Sequence, residues 1–140
     1  LAMVVGVALA LMALPFYHAA YGVGIDGAMG AVTAALVDEV LLRLFLVTAL
    51  AWVLLREFDL PARQAALMAV LAAAAVQVVV YLPGVLAIGF PSWLTAAAFL
   101  AVTVAVPAVV FGLLYWRRGF GAAFVAHATA LVALFLIAGR

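Results

Sequence analysis

Polar positions along this chain are rare and clustered, and the apolar runs between them are long enough to cross a bilayer. Apolar stretches cover about 2–22, 29–55, 63–82, 92–116 and 119–139, each near the ~20 residues a membrane-spanning helix needs. The breaks carry turn chemistry: YGVGIDG, REFDLPAR, LPGVLAIGFPS and the short WRRG. Only an element that satisfies its own backbone hydrogen bonds crosses lipid without closing into a barrel, so the spans are expected as α-helices. The pattern therefore predicts an all-α fold, a polytopic membrane helical bundle of about five transmembrane helices, in a single membrane-embedded domain over 1–140. The run AALMAVLAAAA in the third span suits close helix approach. Pro107 is expected to kink the fourth, because it removes a backbone donor and crowds the preceding turn.

Composition agrees with this picture. The 140 residues are 74% hydrophobic and 8% charged, too little polar surface to cover a soluble domain of this size. A net charge of +1 gives no indication of nucleic acid as a partner; membrane lipid is the expected environment. The absence of cysteine excludes disulfides and thiolate metal sites. The chain starts at Leu1 with the apolar pattern already running, so it is expected to be an N-terminally truncated fragment. No positive segment precedes the first span, which argues against a signal peptide. Arg56, Arg63, Arg117 and Arg118 fall in the second and fourth loops, and the first and third loops carry no arginine. The positive-inside rule then places loops two and four in the cytoplasm.

One segment breaks the pattern. LVDEVLLRLFL (36–46) puts Asp38, Glu39 and Arg43 inside the second span, where insertion scales charge ~2.5–3.5 kcal/mol for an Asp or Arg near the helix centre. Glu39 and Arg43 are four residues apart with the acid N-terminal, the orientation that pairs well on one helix face. Asp38 lies roughly 100° away on a 3.6-residue helix. Glu39–Arg43 is thus expected to be the structural pair and Asp38 the spare carboxylate, available as a general base. A polar clamp between helices, or a proton or substrate relay in a transporter, would use the same residues. His127 falls ~12 Å into the fifth span and Asp38 ~15 Å into the second, from opposite edges. In a core ~30 Å thick both approach the midplane and can meet.

One spare carboxylate and one or two histidines fall short of the usual three protein ligands of zinc, so no metal or other cofactor is expected. His18, near the end of the first span, is expected to snorkel at the interface. GVGIDG matches a dinucleotide fingerprint in form only, since it joins two membrane helices rather than following a strand. Tyr115-Trp116 beside Arg117-Arg118 is expected to be an interfacial anchor.

Two segments together resemble the CPBP intramembrane protease family, which includes the type II CAAX prenyl proteases and bacteriocin-processing and self-immunity proteins. VDEVLLRLFLVTALAWVLLR (37–56) is similar to its Glu-Glu-x-x-x-Arg helix, with Asp38, Glu39 and Arg43 at the motif positions. VVFGLLYWRRGFGAAFVAHATAL (109–131) resembles its last motif region, with His127 at the histidine of His-x-x-x-Asn/Asp. AVQVVVYLPG (75–84) occupies the place of the family's Phe-x-x-x-His motif. The resemblance covers about 30–135. It implies a glutamic-type intramembrane endopeptidase acting on a membrane-associated peptide or protein, in a multi-pass protein of a bacterial cytoplasmic membrane. By position, the catalytic residues would be Asp38 as water-activating carboxylate, Glu39 in its support and His127 as oxyanion donor. Arg43 would give structural support. Asp38 stands where the family has Glu, Tyr81 where it has the middle histidine, Gln77 where it has Phe, and Leu131 where it has Asn or Asp. These departures leave open a catalytically inactive relative that binds a peptide or partner in the same cavity.

Overall fold

A computed structural model describes residues 1–16 and 27–138, with the side chains of Pro15, Gly27, Ala28 and Ala138 excepted. His18 and the first loop lie outside the described residues. Of the described residues 91% are helical, and none lies in a strand. Five helical elements follow one another among the described residues. Helix α1 is Ala2–Ala13, continued by a 3₁₀ turn at Leu14–Phe16. Helix α2 runs over 27–57 as Gly27–Asp38, a π-helical stretch Glu39–Val47, and Thr48–Glu57. Helix α3 is Ala62–Ala87. Helix α4 is Trp93–Arg118 with a π-helical stretch at Ala101–Ala105, and α5 is Phe120–Ala138.

Among the described residues, Ala62–Ala87, Trp93–Arg118 and Phe120–Ile137 are long and apolar enough to cross a membrane. The protein is accordingly an integral membrane protein built as an all-α bundle. Helix α2 is roughly 45 Å long at 1.5 Å per residue, but its charges at 38, 39 and 43 fall mid-helix, whereas the charges of α3 and α4 sit at helix ends. The described part of the first segment is the shorter apolar helix Ala2–Ala13.

The connections are short and chemically specified. Between α2 and α3, Asp59 adopts a positive φ of 47°, and Pro61 precedes the first helical residue, where its missing N–H costs nothing. Between α3 and α4, Gly89 takes φ 73°, and Ser92 with Thr95 closes a reciprocal capping box that opens α4. Between α4 and α5, the single residue Gly119 turns the chain at φ 82°, a conformation that glycine adopts without Cβ strain. This one-residue turn makes α4 and α5 an antiparallel hairpin.

Helix α3 continues one turn past the expected boundary, through Pro83. Proline's fixed φ is compatible with a helix, and the loss is one backbone hydrogen bond plus local crowding. Pro107 has its effect in α4. It cannot donate to the carbonyl four residues back, and the π-helical stretch immediately precedes it, with the Val106 N–H bonded to the Ala101 carbonyl.

Helix α5 packs against α1, the first half of α2 and the second half of α4; α3 packs on the second half of α2 and on α4. The buried contacts are made mostly by small residues. Ala10 and Ala13 meet Leu134, Leu9 and Phe111 meet Ala126 and Ala130, and Val47 meets Ala69, Val70 and Ala73. Lipid is as apolar as these side chains, so helix association here rests on close packing and interhelical hydrogen bonds. Gly6 and Gly112 mark the tightest approaches. A Cβ on Gly6 would overlap the Ala126 carbonyl oxygen and come within 2.8 Å of Thr129 Cβ, and one on Gly112 would lie 2.7 Å from Val70 Cγ1.

Candidate functional site

The polar residues of α2 meet a backbone carbonyl of α4 and a histidine of α5 in the interior of the bundle, and a tyrosine of α3 at its exposed edge. Glu39 and Arg43 are the first and fifth residues of the π-helical stretch, and both are buried, at 0% and 2% exposure. Arg43 Nε lies 3.6 Å from Glu39 Oε1, the pairing expected from their spacing. The guanidinium also reaches α4. One terminal nitrogen donates to the Ala108 carbonyl at 3.4 Å, and the group sits 5.8 Å from the Phe111 ring centroid, within cation–π range.

Glu39 does more than neutralise Arg43. His127 Nδ1 lies 3.0 Å from the same Glu39 Oε1, joining residues 88 positions apart. The imidazole stacks on Phe111, with centroids 4.6 Å apart and planes 22° from parallel. An ionised carboxylate only accepts, so an ionised Glu39 accepts a hydrogen bond from Nδ1–H and fixes the orientation of the ring. Nε2 then accepts in the neutral ring and donates in the doubly protonated one. Glu39 Oε2 and one terminal nitrogen of Arg43 are sealed from solvent without a hydrogen-bond partner among the described residues.

Asp38 is separated from this cluster, as the 100° offset requires. It is half-buried, and Tyr81 donates its hydroxyl proton to Asp38 Oδ2 at 3.1 Å. The partner of Asp38 is therefore Tyr81 of α3, and the partner of His127 is Glu39.

The two pairs share one space. A cavity of about 650 Å³ opens between the five helices, and Asp38, Gln77, Tyr81, Thr103, His127 and Leu131 stand on its wall with apolar residues of α1, α3, α4 and α5. This volume falls in the usual range of ligand pockets, ~300–1,000 Å³. Glu39 and Arg43 lie buried behind it. Both π-helical stretches border the site, one carrying Glu39 and Arg43 and the other Thr103 and Val104, in keeping with the frequent location of such bulges at functional positions. The Thr103 hydroxyl is spent on the Phe99 carbonyl, to which it donates at 2.7 Å. Among the described residues no group of three His, Cys, Asp or Glu side chains is arranged to hold a metal ion.

Tyr115, expected as an interfacial anchor, also ties helices together: its hydroxyl lies 2.7 Å from the Thr48 hydroxyl of α2. Phe111 was not legible as a site residue, because a phenylalanine in an apolar span carries no mark of its contact with a histidine. No protein-family model, curated protein or solved structure matches this chain.

Proposed function

We propose that this protein is a CPBP-type intramembrane endopeptidase, hydrolysing a peptide bond of a membrane-associated peptide or protein in a bacterial cytoplasmic membrane. The observation that carries the proposal is the meeting of Asp38, Tyr81 and His127 on the wall of one cavity of about 650 Å³, with Glu39 holding His127 from behind.

In this proposal Asp38 takes a proton from a water molecule whose oxygen attacks the scissile carbonyl carbon. The Tyr81 hydroxyl occupies Oδ2 and leaves Oδ1 for the water. The tetrahedral oxyanion receives a hydrogen bond from Nε2 of doubly protonated His127, and Glu39 balances the charge that the ring then carries. Stabilisation of this kind is usually the largest single contribution to acyl-transfer catalysis. Collapse breaks the C–N bond, and Asp38 passes its proton to the leaving amine. With loops two and four in the cytoplasm, the Tyr81 end of α3 lies toward the outer side, from which the substrate would enter.

A second function, peptide binding without hydrolysis, is favoured by one feature: Leu131 lines the cavity at the position where the family pattern has Asn or Asp, and it supplies no donor to an oxyanion. The test is to reconstitute the full chain in lipid nanodiscs with a pool of apolar peptides and to follow new termini by mass spectrometry. We expect cleavage by the wild type and none by Asp38→Ala, with an unchanged unfolding midpoint. Equal turnover by the two proteins would sink the protease assignment. Binding without cleavage by either would leave the second function, and His127-dependent proton uptake into vesicles would indicate transport.

A further inference from the structure

Gln77 and Thr103 are the polar side chains of the cavity wall that the hydrolytic chemistry does not use, and the Thr103 hydroxyl is already bonded to the Phe99 carbonyl. Gln77 lies on α3, is 7% exposed, and faces the same space as Asp38 and Tyr81. Its amide has no hydrogen-bond partner among the described residues, although it is not sealed off as Glu39 Oε2 is. A carboxamide withdrawn from water into an apolar wall is costly unless something pairs with it. The cavity is where that partner would bind.

A primary amide carries a carbonyl acceptor and an NH₂ donor side by side. The group that satisfies both at once is another amide presenting N–H and C=O on one edge, as an extended peptide backbone does. Main-chain pairing of this kind gives affinity without demanding a particular side chain. We infer that Gln77 is a substrate-binding residue that pairs with the backbone amide edge of an extended peptide in the cavity. The inference deepens the peptide-processing function proposed for this cavity and rests on it. Register follows from geometry. Gln77 and Tyr81 are one helical turn apart, ~6 Å along α3, and an extended strand advances ~3.3 Å per residue. The residue held by Gln77 is therefore about two positions from the one presented to Asp38 and Tyr81.

The test uses the full chain in nanodiscs and a fluorescent decapeptide of alternating Leu and Ala, together with its counterpart N-methylated at every second amide. Wild type should bind the unmodified peptide about tenfold more tightly, equivalent to about 1.4 kcal/mol. Gln77→Met keeps the side-chain length and removes both hydrogen-bonding groups, so it should bind the two peptides equally and stay folded, with an unfolding midpoint no lower than wild type. Gln77→Glu removes the donor half and should reduce the preference to about threefold. A wild type that binds neither peptide or does not distinguish them, or a Gln77→Met protein that keeps the preference, overturns the inference. Asp38→Ala separates this result from the proposed hydrolysis. A preference that persists in that variant without cleavage by any protein supports Gln77 and removes the protease. Cleavage by wild type that Gln77→Met leaves unchanged, with no peptide preference in either, removes Gln77 and leaves the protease.

Discussion

Arg43 offers the sharpest test of how the polar cluster is held. Its guanidinium is 2% exposed and serves Glu39 at 3.6 Å, the Ala108 carbonyl at 3.4 Å and the face of Phe111 at 5.8 Å. Arg43→Met keeps most of the side-chain volume but leaves the fully buried Glu39 carboxylate with His127 as its remaining partner. Breaking a buried ion pair from one side costs ~3–5 kcal/mol, whereas replacing both partners is often neutral. We expect Arg43→Met to lose stability in that range, and Glu39→Gln/Arg43→Met to recover at least ~2 kcal/mol of it, a coupling within the span seen for residues in contact. The assay is reversible unfolding by SDS in mixed lipid micelles, followed through tryptophan fluorescence and circular dichroism. An Arg43→Met protein within ~1 kcal/mol of wild type would refute the reasoning, because a buried carboxylate that has lost its guanidinium partner cannot be that cheap. A double variant no more stable than Arg43→Met would also refute it, by showing that Arg43 acts through Ala108 and Phe111 rather than through Glu39.

Further outcomes follow from the packing and from the proposed chemistry. Gly6→Ala should destabilise the bundle by ~1–3 kcal/mol, because the added methyl meets the rigid backbone of α5 at Ala126; the same unfolding assay checks it. Gly112→Ala should cost a similar ~1–3 kcal/mol, and Val70→Ala in the same chain should return much of that, since the obstructing atoms are Val70 methyls. Tyr81→Phe removes the hydrogen bond donated to Asp38 and should lower the cleavage rate by ~10–100-fold, the kinetic equivalent of one hydrogen bond to a charged group. Leu131→Asn places a donor on the cavity wall and should raise the rate at least ~10-fold, since single oxyanion donors are worth ~100–1,000-fold; peptide cleavage monitored by mass spectrometry reads both.

Helix positions were legible because lipid imposes a simple rule on the chain. The second span, expected over 29–55, runs over 27–57, and the third, expected over 63–82, begins within one residue and extends to Ala87. The segment LPGVLAIGFPS carries turn chemistry, but a helix tolerates one missing donor, and α3 runs through Pro83. The π-helical stretches were not legible. Pro107 announces a lost hydrogen bond but not whether the helix bends or widens, and no proline marks Glu39–Val47. The Glu39–Arg43 pair followed from spacing alone, a local property. The bond from His127 to Glu39 did not, since it depends on which face α5 turns toward α2, and α5 is apolar almost all round. Without an amphipathic stripe to orient α5, the sequence places His127 at the right depth and leaves its partner open. The pairing of Asp38 with Tyr81 was similarly not legible, since it depends on which faces α2 and α3 turn toward each other.

The central claim is that a water placed by Asp38 opens a peptide bond within the cavity. The measurement that bears on it most directly is peptide cleavage in H₂¹⁸O by the nanodisc-embedded wild type and Asp38→Asn, side by side. One ¹⁸O atom is expected in each new C-terminal carboxylate from the wild type, and no product above blank from Asp38→Asn. An absence of product from the wild type, or equal labelled product from both proteins, would contradict that claim.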